Sequence, residues 1–154
     1  MRPRTVSRHA SQYAVVASQY NEKFVNAMAE SALAELQVLE PKAVLSRYSA
    51  PGSFEIPLVV KAVAKKRQYQ AILALGIILR GETGHADLIA FSVTEALMKL
   101  SLEFDVPIIH EVLLLNDEAQ AEARCLGTNL NRGLEAARAA VAVVQSLREI
   151  HPEH

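Results

Sequence analysis

The 154-residue chain sets 16 basic against 17 acidic residues, a formal net charge of −1, and 51% of it is hydrophobic. That balance describes a globular protein rather than a disordered one, and the length is most simply one domain that buries roughly two-thirds of its unfolded surface. With no Trp, no basic stripe interleaved with aromatics, and no apolar run beyond about half of the roughly 20 residues a bilayer crossing needs, nucleic-acid binding and a membrane span are both disfavoured.

The start, Met1 to His9, is basic and has no apolar core behind it, so it does not read as a secretory signal. At under a dozen residues it is too short for a good transit peptide, and residues 1–12 read as a flexible arm ahead of a domain over 13–154. The arm, which contains Pro3, either pairs with a neighbour or stays loose. Tyr13 to Ala17 reads as a short buried strand, and Asn21 is placed to cap the helix that follows. From Glu22 to Leu39, Val25, Met28, Ala32, Leu36 and Leu39 recur at helical steps, and Pro41 stops the run. Ala43 to Ser49 is a weaker strand. Pro51-Gly52-Ser53 is a turn into a helix from about Phe54 to Lys66, with Pro57 in the first turn, where a missing N–H does least harm.

Ala71 to Leu79 is a continuous apolar strand. It runs into Arg80-Gly81-Glu82-Thr83-Gly84-His85 and then a helix from Ala86 to Phe104, with Ile89, Val93, Ala96, Leu97 and Leu100 expected inward. Val106 to Leu115 is the fourth strand. Asn116-Asp117 caps a short helix to about Cys125, Gly127-Thr128 breaks it, and a last helix runs from about Asn131 to Ile150 with Leu134, Ala137, Val141 and Val144 inward. Cys125 is the sole cysteine, so there is no internal disulfide or cysteine metal cluster, and a reducing cytoplasm is the default location.

Strands alternating with helices, each strand a run of apolar residues, predict a four-stranded parallel sheet covered on both faces: an α/β protein, a three-layer α/β/α sandwich of flavodoxin-like type. Its exposed edges predict self-assembly. Ligands of such sheets bind outside the carboxyl ends of the strands. The loop from Arg80 to His85 stands there, at a helix start whose free N–H groups and dipole favour an anion, with one imidazole beside it to move protons. The same loop also reads simply as a strand–helix connection with a chance histidine.

Four segments fall at strand ends: Gln19-Tyr20-Asn21, Pro51-Gly52-Ser53-Phe54-Glu55-Ile56-Pro57, Gly76 to His85, and Arg124 to Gly133. Together they resemble the 6,7-dimethyl-8-ribityllumazine synthases of riboflavin biosynthesis, from about Tyr13 to the last helix. The closing Asn131-Arg132-Gly133 followed by Glu135-Ala136-Ala137 matches that family's Asn-Lys-Gly, Glu-Ala-Ala motif, with Arg132 for Lys. Taken singly, Glu55 reads equally as a first-turn carboxylate, Arg124 as a last-turn cation and Tyr20 as a surface aromatic.

The resemblance implies condensation of 5-amino-6-ribitylaminouracil with 3,4-dihydroxy-2-butanone 4-phosphate, through an imine, loss of phosphate and ring closure, with neither metal nor organic cofactor. It implies that His85 transfers protons and that the backbone of Gly81, Glu82 and Thr83 cradles phosphate together with Arg124. Ser53 falls in the substrate-binding Pro-Gly-Ser segment, Phe54 and Glu55 hold the ribityl chain, Tyr20 stacks on the pyrimidine with Asn21 beside it, and the main chain of Ile78 and Leu79 meets the uracil edge. His110 stands for an aromatic that reaches a neighbouring subunit's ring. It also implies a homopentamer or a multiple of pentamers, up to a sixty-subunit shell, acting on small molecules. The chain departs from the pattern at His110-Glu111 (an aromatic and Gly), Leu114-Leu115 (a Thr pair), Ala86 (an aromatic) and Glu82 in the phosphate loop. Two other readings stay open: a similarly folded archaeal-type riboflavin synthase, and a non-catalytic flavin-binding or shell-forming paralogue.

Overall fold

The computed structural model describes residues 10–152, so most of the expected N-terminal arm lies outside the described residues. The elements follow in the order β1 (Gln12–Ser18), α1 (Glu22–Leu39), β2 (Val44–Ala50), a 3₁₀ turn (Ser53–Glu55), α2 (Ile56–Ala64), β3 (Ala71–Leu79), α3 (His85–Phe104), β4 (Ile108–Leu115), α4 (Glu118–Cys125) and α5 (Arg132–Ile150). The four strands form one parallel sheet in the order β2-β1-β3-β4. This is the doubly wound arrangement in which the chain leaves β1 in opposite directions, creating a crevice between the ends of β1 and β3. No described helix is long and apolar enough to cross a membrane.

Period-two alternation divides the strands between two apolar layers. Tyr13, Val15 and Ala17 of β1, with Leu73, Leu75 and Ile77 of β3, pack against Val25, Met28 and Leu36 of α1 and Ala136, Ala137 and Ala140 of α5. Ala14, Val16, Ile72, Ala74 and Ile78 pack the other way, against Val60 and Val63 of α2 and Val93, Leu97 and Leu100 of α3. Both faces of β1 and β3 are thus buried, which is why these strands read as unbroken apolar runs.

Two glycines set how closely helices approach. A Cβ on Gly133 would lie 2.3 Å from the Met28 carbonyl oxygen, so its absence lets the start of α5 settle on α1. A Cβ on Gly76 would lie 2.8 Å from Ser53 Oγ and 2.9 Å from Ile56 Cδ1, so the bare strand backbone admits the 3₁₀ turn against β3. The α4 cap forms as expected, Asp117 Oδ1 accepting from Gln120 N–H at 2.9 Å, and Asn131 caps α5 in the same way, its Oδ1 accepting from Leu134 N–H at 3.1 Å.

Four local expectations are corrected. Asn21 precedes α1 but does not cap it with its side chain. It adopts a left-handed backbone (φ 59°) and its Nδ2 donates to the Ile77 carbonyl at 2.9 Å, tying the β1 exit to β3. Helix α3 begins at His85 rather than Ala86. In α5, Gly133, Ala136 and Ala140 are buried beside Ala137 and Val144, whereas Leu134 and Val141 are half-buried, because the close α1–α5 contact favours small residues. Likewise Ile89 and Ala96 of α3 are only half-buried.

Candidate active site

A cavity of about 530 Å³ opens at the carboxyl ends of β1 and β3, a size suited to a small organic ligand. Tyr20 and Asn21 line it after β1, Gly52 to Glu55 from the turn after β2, Ile77 to Leu79 at the end of β3, Gly81 and Thr83 from the loop that follows, and His85, Ala86 and Ile89 from α3. Backbone bonds fix its frame: Gln19 N–H to the Ala50 carbonyl at 2.8 Å, Tyr20 N–H to Pro51 at 3.1 Å, and Arg80 N–H to Leu115 at 2.9 Å. Tyr20 (72% exposed) and Phe54 (64% exposed) hold aromatic surface in the open mouth, an arrangement that suits stacking on a flat ring.

The polar groups are equally specific. Ser53 is buried, and its Oγ has no partner. A buried hydroxyl without a partner is costly unless a ligand or water satisfies it, and this one lines the cavity. Glu55 adds an acceptor at the same wall. His85 is the first residue of α3, its N–H 3.4 Å from Thr83 Oγ1. A Cβ on Gly81 or Gly84 would meet nothing within 4 Å, so these glycines leave bare backbone facing open space. Bare N–H groups at a helix N-terminus are an anion cradle. Ala86, where an aromatic was expected by resemblance, is buried and packs beneath the site.

Ten of the fourteen residues singled out from the sequence therefore meet in this cavity: Tyr20, Asn21, Ser53, Phe54, Glu55, Ile78, Leu79, Gly81, Thr83 and His85. Glu82, His110, Arg124 and Arg132 do not line it. Glu82 lies exposed in the loop. His110 lies on the edge strand β4, Arg124 on α4 and Arg132 at the start of α5, two helices that pack with α1, and no Lys or Arg lines the cavity.

On β4, His110 and Glu111 point to opposite sides. Val112 N–H donates to His110 Nδ1 at 3.0 Å, which puts the ring proton on Nε2, 2.7 Å from Thr94 Oγ1 of α3. Burial holds this imidazole below its ordinary pKa. Glu111 faces Arg132 and Glu135 at the start of α5. Burial pushes its carboxyl up from 4.5 to about 7, with Arg132 opposing and Glu135 adding to the rise. Arg132 Nη1 pairs with Glu135 Oε2 at 2.8 Å, but its buried Nε has no partner. Arg124 Nη1 reaches the Gln120 carbonyl at 3.4 Å. Burial lifts the neighbouring Cys125 thiol to about 11 despite the pull of Arg124, so that thiol is inert near neutrality.

Because folding raises the Glu111 pKa, the folded state binds that proton more tightly than the unfolded chain. Its contribution is fully present below about pH 4.5 and is lost as pH rises through about 7. Glu111→Gln, which keeps the neutral shape, should gain stability over the parent across that window. At this half-buried position solvent screening limits the gain to about 1 kcal/mol, or roughly 2–4 °C in Tm. A Tm difference that does not change between pH 4.5 and 8 would show that Glu111 keeps an ordinary carboxyl.

The family model described as 6,7-dimethyl-8-ribityllumazine synthase matches residues 10–148. A 6,7-dimethyl-8-ribityllumazine synthase of Coxiella burnetii (strain Dugway 5J108-111) is 37% identical over 138 residues, 89% of this chain and 91% of that protein. Proteins of the same description from Thermococcus kodakarensis and Streptomyces coelicolor are 38% identical over 138 residues and 39% over 142, covering 88% and 89% of this chain and 86% and 85% of their own lengths.

Proposed function

Since the chain belongs to the 6,7-dimethyl-8-ribityllumazine synthase family, a family of transferases, we infer that the cavity between β1 and β3 is its active site. The reaction is the condensation of 5-amino-6-ribitylaminouracil with 3,4-dihydroxy-2-butanone 4-phosphate in riboflavin biosynthesis. The observation that carries the assignment of the site is the convergence of open aromatic surface, an unpartnered buried hydroxyl and a bare-backbone helix start beside one imidazole.

In this reading Tyr20 stacks on the pyrimidine and the main chain of Ile78 and Leu79 takes its polar edge. Ser53, Phe54 and Glu55 hold the ribityl chain. The backbone of Gly81, Glu82 and Thr83 receives the phosphate, and His85 moves protons during imine formation, phosphate loss and ring closure. Asn21 holds the β1 exit in place through Ile77. The cavity has no cation of its own, so Arg124 and Arg132 act on phosphate only from a neighbouring copy.

That requirement points to a homo-oligomer, and α3 supports it. Its buried stripe of Ala86, Val93, Leu97, Leu100 and Phe104 is matched on the opposite face by Leu88, Phe91, Met98 and Leu102, which are 63% to 72% exposed. A helix apolar on both faces is made to be covered on both. We read the building block as a ring of five, closed by repeated head-to-tail contacts, in a reducing cytoplasm where Cys125 stays a thiol. Of the domain expected over residues 13–154, the described residues from Tyr13 to Pro152 form its folded unit, together with Gln12, which opens β1.

The test is absorbance of the product lumazine when purified protein meets both substrates. Its appearance supports the reading. Binding of lumazine or flavin without product would turn it to the non-catalytic alternative, and fusion of two lumazines to a riboflavin synthase.

A further inference from the structure

The segment between β3 and α3 is bounded by an ion pair that its chemistry does not require. Arg80 Nη1 lies 2.8 Å from Asp87 Oδ1, both side chains nearly half exposed. The two ends of this bridge are separately anchored. The Arg80 N–H donates to the Leu115 carbonyl, joining the ends of β3 and β4, and Asp87 sits in the first turn of α3. Between them run two glycines, whose backbones lose the most freedom when ordered. Inside that span the Thr83 hydroxyl accepts from His85 N–H at the long distance of 3.4 Å, and Leu88 N–H closes the first helical turn on the Gly84 carbonyl at 3.2 Å. The loop's own bonds hold it loosely, and the guanidinium bridges its two fixed ends.

The charges pose a second problem. An anion cradle is poorly served by carboxylates, yet Glu82 and Asp87 both stand at this one. At the helix start Asp87 is favourable to the dipole and unfavourable to a bound phosphate. Pairing with Arg80 resolves the conflict at Asp87: the carboxylate keeps its place on the helix while its field is offset.

We propose that Arg80 and Asp87 are positioning residues, a clasp that fixes the Gly81–Gly84 backbone in its anion-receiving form and masks the Asp87 carboxylate from the phosphate. The proposal rests on the reading that this loop receives the phosphate of the four-carbon substrate. Neither side chain lines the cavity, so both act through the loop.

The test is a double-mutant cycle of Arg80→Ala and Asp87→Ala, with kcat, the KM of each substrate and inhibition by inorganic phosphate measured for each protein. A clasp predicts that either single variant raises the KM of the phosphate substrate and the phosphate inhibition constant roughly five-fold, the scale of an exposed ion pair. The double variant adds nothing further, because either loss already opens the pair. The KM of the ribitylaminouracil and kcat stay within about two-fold of the parent. Arg80→Lys, which keeps the charge, recovers most of the loss. If Asp87→Ala tightens phosphate binding while Arg80→Ala weakens it, Arg80 is itself a phosphate ligand and the clasp is wrong. Additive single effects, or equal changes in both KM values, overturn it as well. Calorimetric titration of inorganic phosphate separates the two claims. A parent that binds phosphate but makes no product refutes the reaction and leaves the cycle to be scored on phosphate, and one that binds none refutes both.

Discussion

His85→Ala lowers turnover by about 10²–10⁴-fold while fold and assembly persist, the scale expected when a general acid–base group is lost. The reaction moves several protons, in forming the imine, expelling phosphate and closing the ring, and His85 is the one imidazole lining the cavity. Its ring belongs to no packing layer: the residue is exposed at the first position of α3. Alanine is well tolerated there, since the backbone N–H contact with Thr83 Oγ1 survives. The loss therefore falls on kcat, with the KM of both substrates changed far less and an unaltered Tm. Turnover within about two-fold of the parent would remove His85 from proton transfer.

The sequence carried most of the fold because the signals for its elements are strong and local. Ala71 to Leu79, apolar throughout and followed by a Gly-bearing loop, is a strand at those bounds, and the α1 period from Glu22 to Leu39 is reproduced at both ends. The ten residues of the cavity were legible for a related reason. Each lies at or just beyond the carboxyl end of a strand, and a parallel sheet brings those ends together whatever the details of packing.

What escaped was set by contacts across the chain. The Asn21 side chain leaves its helix for Ile77 because β1 and β3 are adjacent, and nothing local to Asn21 says so. Gly76 opens one of the strand-end segments, but that its missing Cβ lets Ser53 and Ile56 close on β3 depends on a turn more than twenty residues away. The pairing of Arg80 with Asp87 spans a loop whose shape periodicity does not specify. The second apolar stripe of α3 was visible in principle, since Leu88, Phe91, Met98 and Leu102 share a helical face.

Arg124 draws the sharpest consequence from this arrangement. Arg124→Ala should weaken inorganic phosphate and the butanone phosphate by roughly 1.5–3 kcal/mol, the worth of a charge-assisted bond, and leave the ribitylaminouracil nearly unaffected. Yet Arg124 lies on α4, which packs with α1, outside the cavity that holds His85. Both residues serve one site only if they come from adjacent copies. In a ring of head-to-tail contacts each copy gives its His85 face to one neighbour and its Arg124 face to the other. Subunits carrying His85→Ala and subunits carrying Arg124→Ala are each impaired alone. Reassembled as an equal random mixture, about one junction in four combines an intact His85 with an intact Arg124, so roughly a quarter of the parent activity should return. The measurement is product formation after co-expression or joint refolding, with light scattering to confirm the assembled size. Activity of the mixture no greater than the mean of its two components would mean that both residues act within one subunit or that Arg124 has no part in the site. A fully active monomer would exclude the shared site outright.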